Sequence, residues 1–83
     1  MSEFASLDLL DQWIEVSSSN LHYVRYSLET KTLQIIFEPG DSAPREYTYS
    51  GVPVDVFLEL LKAPSKGKYH ARHIKWVYPY VEN

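Results

Sequence analysis

Eighty-three residues make a single domain, and a hydrophobic share of 45% supplies a compact core without staples. The absence of Cys excludes disulfides and thiolate metal sites, and no apolar run approaches the roughly 20 residues that cross a bilayer. Net charge is −3 but divided: residues 1–61 hold ten acids against Arg25, Lys31 and Arg45, a balance of −7, while residues 62–83 hold five bases against Glu82, a balance of +4. A basic end on an acidic chain points to an acidic partner, with a solvated face as the plain alternative.

The start, Met1-Ser2-Glu3-Phe4, lacks the basic-then-apolar pattern of a secretory signal, so the expected location is the cytoplasm, with no membrane partner. Phe4, Leu7, Leu10 and Trp13 recur at three-residue spacing, which predicts a short helical extension over residues 1–12 with an apolar stripe. Ser17-Ser18-Ser19-Asn20 reads as a polar turn. A serine nucleophile there has no G-x-S-x-G elbow to support it.

Leu21 to Leu28 predicts a strand with Val24, Tyr26 and Leu28 on one face and Tyr23, Arg25 and Ser27 on the other. After the turn Glu29-Thr30-Lys31, a second strand runs from Leu33 to Phe37, with Leu33, Ile35 and Phe37 inward and Ile36 outward. Pro39-Gly40-Asp41 breaks it, and Ser42-Ala43-Pro44 continues the loop. Arg45 to Ser50 is the third strand, with Tyr47 and Tyr49 on one face. Gly51-Val52-Pro53 leads into a helix with Asp55 in its first turn and an apolar stripe at Val56, Phe57, Leu60 and Leu61. Pro64 stops that helix, Ser65 caps a shorter one near residues 66–72, and Pro79 ends regular structure, leaving a tail over residues 81–83.

Three strands joined by short turns, followed by two helices, predict an α+β domain: a three-stranded antiparallel β-meander with one face covered by a helix and a short second helix. The expected core is Val24, Tyr26, Leu33, Ile35, Phe37, Tyr47, Tyr49, Phe57, Leu60, Leu61 and Ile74.

The order and spacing of several short motifs resemble the KTSC domain, a small bacterial and phage domain named for its occurrence at the C-terminus of some lysyl-tRNA synthetases. The residues that carry the resemblance are Val16, Ser18, Ser19 and Asn20; Tyr26; Leu33, Ile35 and Phe37; Tyr47 and Tyr49; Val52 and Pro53; Ser65, Gly67 and Tyr69; Ile74; and Tyr78 with Pro79. The resemblance covers roughly residues 13–80. Three places depart from the family's pattern: the longer loop through Ser42-Ala43-Pro44, His70-Ala71 where Phe and then Asn or Asp is usual, and Trp76-Val77 where a small residue and a basic one are usual. The resemblance implies this fold and, through the synthetase context, a role in binding RNA.

Lys66, Lys68, Tyr69, Arg72 and Lys75, with Trp76 interleaved, form the candidate nucleic-acid contact, because cations meet phosphates and aromatic rings stack on bases. Tyr47 and Tyr49 could be a stacking platform, but they are the apolar face of their strand and are expected to face the helices. His22, His70 and His73 lack the spacing and carboxylate partners of a zinc site, and no metal, cofactor or catalytic group is expected. The expected function is a small non-enzymatic domain that binds single-stranded RNA. The alternative is a protein-interaction or homodimerisation module that uses the sheet face of Tyr23, Ile36 and Thr48 or the stripe of Phe4, Leu7, Leu10 and Trp13. Enzyme activity is disfavoured by a chain too short to wrap a deep pocket.

Overall fold

Alternating apolar and polar residues build strands that bury one face, and the meander expected from the sequence forms the centre of a larger sheet. The computed structural model describes residues 10–18, 20–38 and 43–83. In it, β1 (Ile14–Glu15), β2 (Leu21–Ser27), β3 (Thr32–Phe37), β4 (Arg45–Tyr49) and β5 (Tyr80–Glu82) pair antiparallel in that spatial order. Two helices, α1 (Val54–Lys62) and α2 (Lys66–His73), lie between β4 and β5 in the chain. The fold is therefore α+β, with five strands among the described residues where the sequence predicts three.

Both added strands are too short to show alternation. Pro79 does not end regular structure: it sits just before β5, where no amide N–H is needed, and its carbonyl accepts from the Ser50 N–H at 3.0 Å. Residues read as a tail thus join the sheet, and the Asn83 N–H donates to the Glu46 carbonyl at 2.8 Å. At the other edge, residues 1–9 of the predicted helical extension lie outside the described residues. Residues 10–12 form a turn, with Asp11 at φ 60° and its N–H donating to the Tyr26 carbonyl at 2.8 Å.

The hydrophobic core lies between the sheet and the helices. Val24, Tyr26, Leu33, Ile35, Tyr49, Phe57, Leu60 and Ile74 are buried as expected, while Phe37, Tyr47 and Leu61 are half-buried at its margin. Leu21 and Val52 join the core unpredicted. Leu21 is three residues from Val24, out of phase for one face. A bulge between Leu21 and Tyr23 absorbs the extra residue, so Leu21 pairs with Phe37 while Tyr23 pairs with Ile36. Leu28 falls in the hairpin turn and is exposed, not inward.

The Tyr26 ring stacks on Phe57 at 5.0 Å, and its hydroxyl donates to the Val52 carbonyl at 2.6 Å. That bond satisfies the buried phenol and pins the turn before α1. Gly51 takes φ 71° there, a conformation that a side chain would strain. Ser65 caps α2 as predicted, its hydroxyl accepting from the Lys68 N–H at 3.4 Å.

The opposite sheet face carries mainly polar side chains among the described residues. Gln34 and Asn83 both donate to the Glu46 carboxylate, at 3.3 and 2.7 Å, and Asn83 also donates to the Thr48 hydroxyl at 3.1 Å. Among the described residues, no helix is long and apolar enough to cross a membrane.

Candidate functional site

A strand with Arg45, Tyr47 and Tyr49 at alternate positions carries a cation and two rings on the face that meets the helices. α2 does not cover that end of the sheet completely. Between them opens a cleft of about 330 Å³, lined by Asn20, Phe37, Arg45, Tyr47, Tyr49, Gly67, His70, Ala71, Lys75 and Tyr80. Its volume falls at the lower end of small-ligand sites, larger than so short a chain led us to expect.

The walls are aromatic. Tyr47 meets Phe37 edge-on at 5.5 Å and Tyr80 edge-on at 5.5 Å. Phe37 and Tyr49 each meet the His70 ring edge-on, at 5.0 and 5.5 Å. β5 is what brings Tyr80 here, because its register sets Tyr80 opposite Tyr49 and so on the same face.

The floor is a buried polar pair. Tyr49 Oη and His70 Nε2 share a 2.7 Å hydrogen bond, and His70 is only 8% exposed. Burial, seconded by the nearby Lys75 ammonium, lowers the imidazole pKa from 6.5 to about 4. Burial also raises the Tyr49 phenol to about 12, with the Tyr47 and Tyr80 hydroxyls adding to it. Both groups are neutral at pH 7 and satisfy each other. The charge sits elsewhere: Arg45 and Lys75 line the cleft, and among the described residues no carboxylate does. In a chain of net charge −3 that local excess suits an anion carrying a planar ring.

The five residues singled out from the sequence do not share one surface. Lys75 lines the cleft. Lys68, Tyr69 and Arg72 lie on the other flank of α2, where with Pro64 and His73 they line a shallow groove. Tyr69 is half-buried, its ring 4.5 Å from that of His73. Burial raises its phenol pKa, and the neighbouring Glu59 carboxylate contributes, so this flank is not purely basic. Lys66 spans the joint between the helices, its Nζ donating to the Ala63 carbonyl at 3.1 Å.

Sequence reasoning missed Arg45, Phe37, Tyr80, Asn20 and His70 as parts of one site. One signal was available: Arg45 is two residues before Tyr47 and pairs with Phe37 across the sheet, so a cation sits in the same inward row as the rings.

The Tyr23 and Ile36 of the alternative reading are direct cross-strand partners on the opposite sheet face, both half-buried. Of the N-terminal stripe, Phe4 and Leu7 lie outside the described residues. Leu10 packs against the core, and Trp13 is exposed beneath the Arg25 guanidinium, 5.8 Å from its ring centroid.

Comparison with known proteins follows the same lines. The family model of the KTSC domain matches residues 17–78. The chain is also similar to the crystal structure of a KTSC domain protein from Yersinia pestis, with a TM-score of 0.78 and 28% identity, over 87% of this chain and 96% of that one. No curated protein matches. Asn20, Phe37, Tyr47, Tyr49 and Gly67, which carry the resemblance seen in the sequence, are half of the cleft lining.

Proposed function

The chain belongs to the KTSC domain family, and from that premise we propose that it is a small non-enzymatic binding domain for single-stranded RNA, centred on the cleft between β4, β5 and α2. The observation that supports this most is the lining itself: edge-on aromatic walls, two cations and, among the described residues, no carboxylate. A base enters among Tyr47, Tyr80 and Phe37, and Arg45 and Lys75 meet the flanking phosphates. Lys66, Lys68, Tyr69 and Arg72 serve as outlying contacts for the strand as it leaves the cleft. Single-stranded binders use this combination, because every base has a face to stack and every nucleotide a charge to neutralise.

Proton-transfer chemistry is disfavoured. With His70 at about 4 and Tyr49 at about 12, neither exchanges protons efficiently near pH 7. The protein-interaction alternative has the adjoining Tyr23–Ile36 pair in its favour. Against an apolar docking face stands the Gln34–Glu46–Asn83–Thr48 network beside it.

Few phosphates are neutralised, so binding is expected to be micromolar or weaker at physiological salt. Fluorescence anisotropy with a labelled single-stranded RNA at several salt concentrations tests the reading. An Arg45→Glu/Lys75→Glu double variant should lose most of the affinity, with the slope of log K against log salt falling by about 0.7 for each phosphate contact removed. Lys66→Glu/Lys68→Glu should weaken binding less. Unchanged affinity in the Arg45/Lys75 variant, or no salt dependence in the parent, would sink the proposal.

A further inference from the structure

Trp76 is 79% exposed, more than any other large hydrophobic residue of the described chain. It follows α2 in the turn that leads to β5, so nothing in its own element covers it. An indole left in water carries a large apolar surface with no packing in return, and Trp is enriched at interfaces, where its ring packs on a partner.

Its neighbours say what docks. The Lys75 Nζ lies 5.3 Å from the centre of the Trp76 ring, and Lys75 is itself part of the cleft lining. The exposed indole therefore stands beside the cleft mouth, with a cation between the two. Ring, cation, ring-lined cleft is the sequence of groups that a short single strand presents in complement: base, phosphate, base. The cleft, at about 330 Å³, lies at the small end of ligand sites, so a longer strand has to extend past its mouth.

We propose that Trp76 is a second stacking site, on which the nucleotide next to the one in the cleft lays its base, with Lys75 meeting the phosphate that joins them. This rests on the cleft reading above and adds a footprint of two nucleotides. The ligand class is a dinucleotide or longer single strand, as distinct from a mononucleotide.

The test compares adenosine monophosphate with the phosphorylated dinucleotide pApA. Binding is followed by the NMR shifts of the Tyr47 and Tyr80 ring protons and by tryptophan fluorescence in a Trp13→Phe background, where Trp76 is the sole emitter. The parent should bind the dinucleotide about tenfold more tightly than the mononucleotide, the scale of one stacked base. Trp76 emission should be quenched by the dinucleotide only. Trp76→Ala should keep its affinity for the mononucleotide and lose the tenfold gain. Because the side chain is exposed, the variant is expected to fold as the parent does.

Mononucleotide binding with no gain for the dinucleotide, or a gain that survives in Trp76→Ala, overturns the second site and leaves the cleft standing. No binding of either ligand removes both. A parent that sediments as a dimer and becomes monomeric in Trp76→Ala also overturns the proposal, since the indole is then covered by a second copy.

Discussion

The sheet face toward the helices has two halves that use the same residue types differently. Over β2 and β3 the inward row meets α1 and closes. Tyr26 stacks on Phe57, and its hydroxyl ends on the Val52 backbone carbonyl. Over β4 and β5 the row meets α2 and stays open. Tyr49 is buried too, but its hydroxyl ends on His70, a side chain that can titrate, and the rings next to it line a cleft. A backbone acceptor costs the fold no freedom and offers no function. A titratable partner next to an open cleft makes the second half conditional on pH and available to a ligand. Phe37 and Tyr47, both half-buried, mark the border between the halves.

Mutating each half separates them. Phe57 is fully buried, and Phe57→Ala is expected to cost about 3–5 kcal/mol, enough to unfold most of so small a domain. Tyr47→Ala removes a ring that is already half in solvent and should cost far less, while abolishing most RNA binding. Thermal melts paired with anisotropy check this. Two variants that melt alike would mean that the halves are not energetically distinct.

The titratable partner ties stability to pH. Burial holds His70 at about 4 against an ordinary 6.5, so below pH 6.5 the unfolded chain takes up a proton that the folded chain refuses. The stability linked to this is complete above pH 6.5 and is lost as pH falls toward 4. Its full size is on the order of 3 kcal/mol. Denaturant titrations between pH 7 and 4 should show a steep decline in the parent. The decline should be shallower in Tyr49→Phe/His70→Phe, which leaves neither member of the pair without its partner. Parallel declines would show that His70 does not govern the acid response.

How far the sequence reaches differs between the halves as well. The closed half was legible because alternation along β3 and the stripe of α1 each repeat enough to be read. Leu21 escaped because a bulge shifts its phase, and Val52 because a turn residue has no period to reveal it. β1 and β5 escaped because elements so short carry no pattern, and Pro79 read as a stop when it is only a poor donor. The site was less legible for a physical reason. The basic stretch is contiguous in sequence but wraps a helix, so Lys75 and the pair Lys68 and Arg72 fall on opposite flanks. The cleft instead joins residues from five places in the chain, and only Arg45, Tyr47 and Tyr49 had a local spacing that pointed there. Residue type alone offers His70 as a metal ligand. Its burial and its bond to Tyr49 follow from tertiary packing, which spacing does not encode.

The smallest expected effect lies where the open half meets α2. Gly67 is in the first turn of that helix, and a Cβ built on it would come within 3.1 Å of Asn20 Oδ1, with no other close atom among the described residues. Two effects oppose each other in Gly67→Ala. Alanine restricts the unfolded chain and suits a helix, a gain of about 0.5–1 kcal/mol. The methyl crowds the Asn20 amide, but Asn20 is exposed and its side chain can swing away by a few tenths of an ångström. The gain should therefore win, raising stability by about 0.5 kcal/mol. Asn20 and Gly67 both line the cleft, so the same methyl narrows it, and the displaced amide moves along its wall. Stability should rise slightly while RNA affinity falls, a divergence that melting and anisotropy on one variant can resolve. A variant that gains stability and binds RNA as tightly as the parent would show that the Asn20 end of the cleft is packing alone. That result would confine the ligand to the Arg45–Tyr47–Tyr80–Lys75 side.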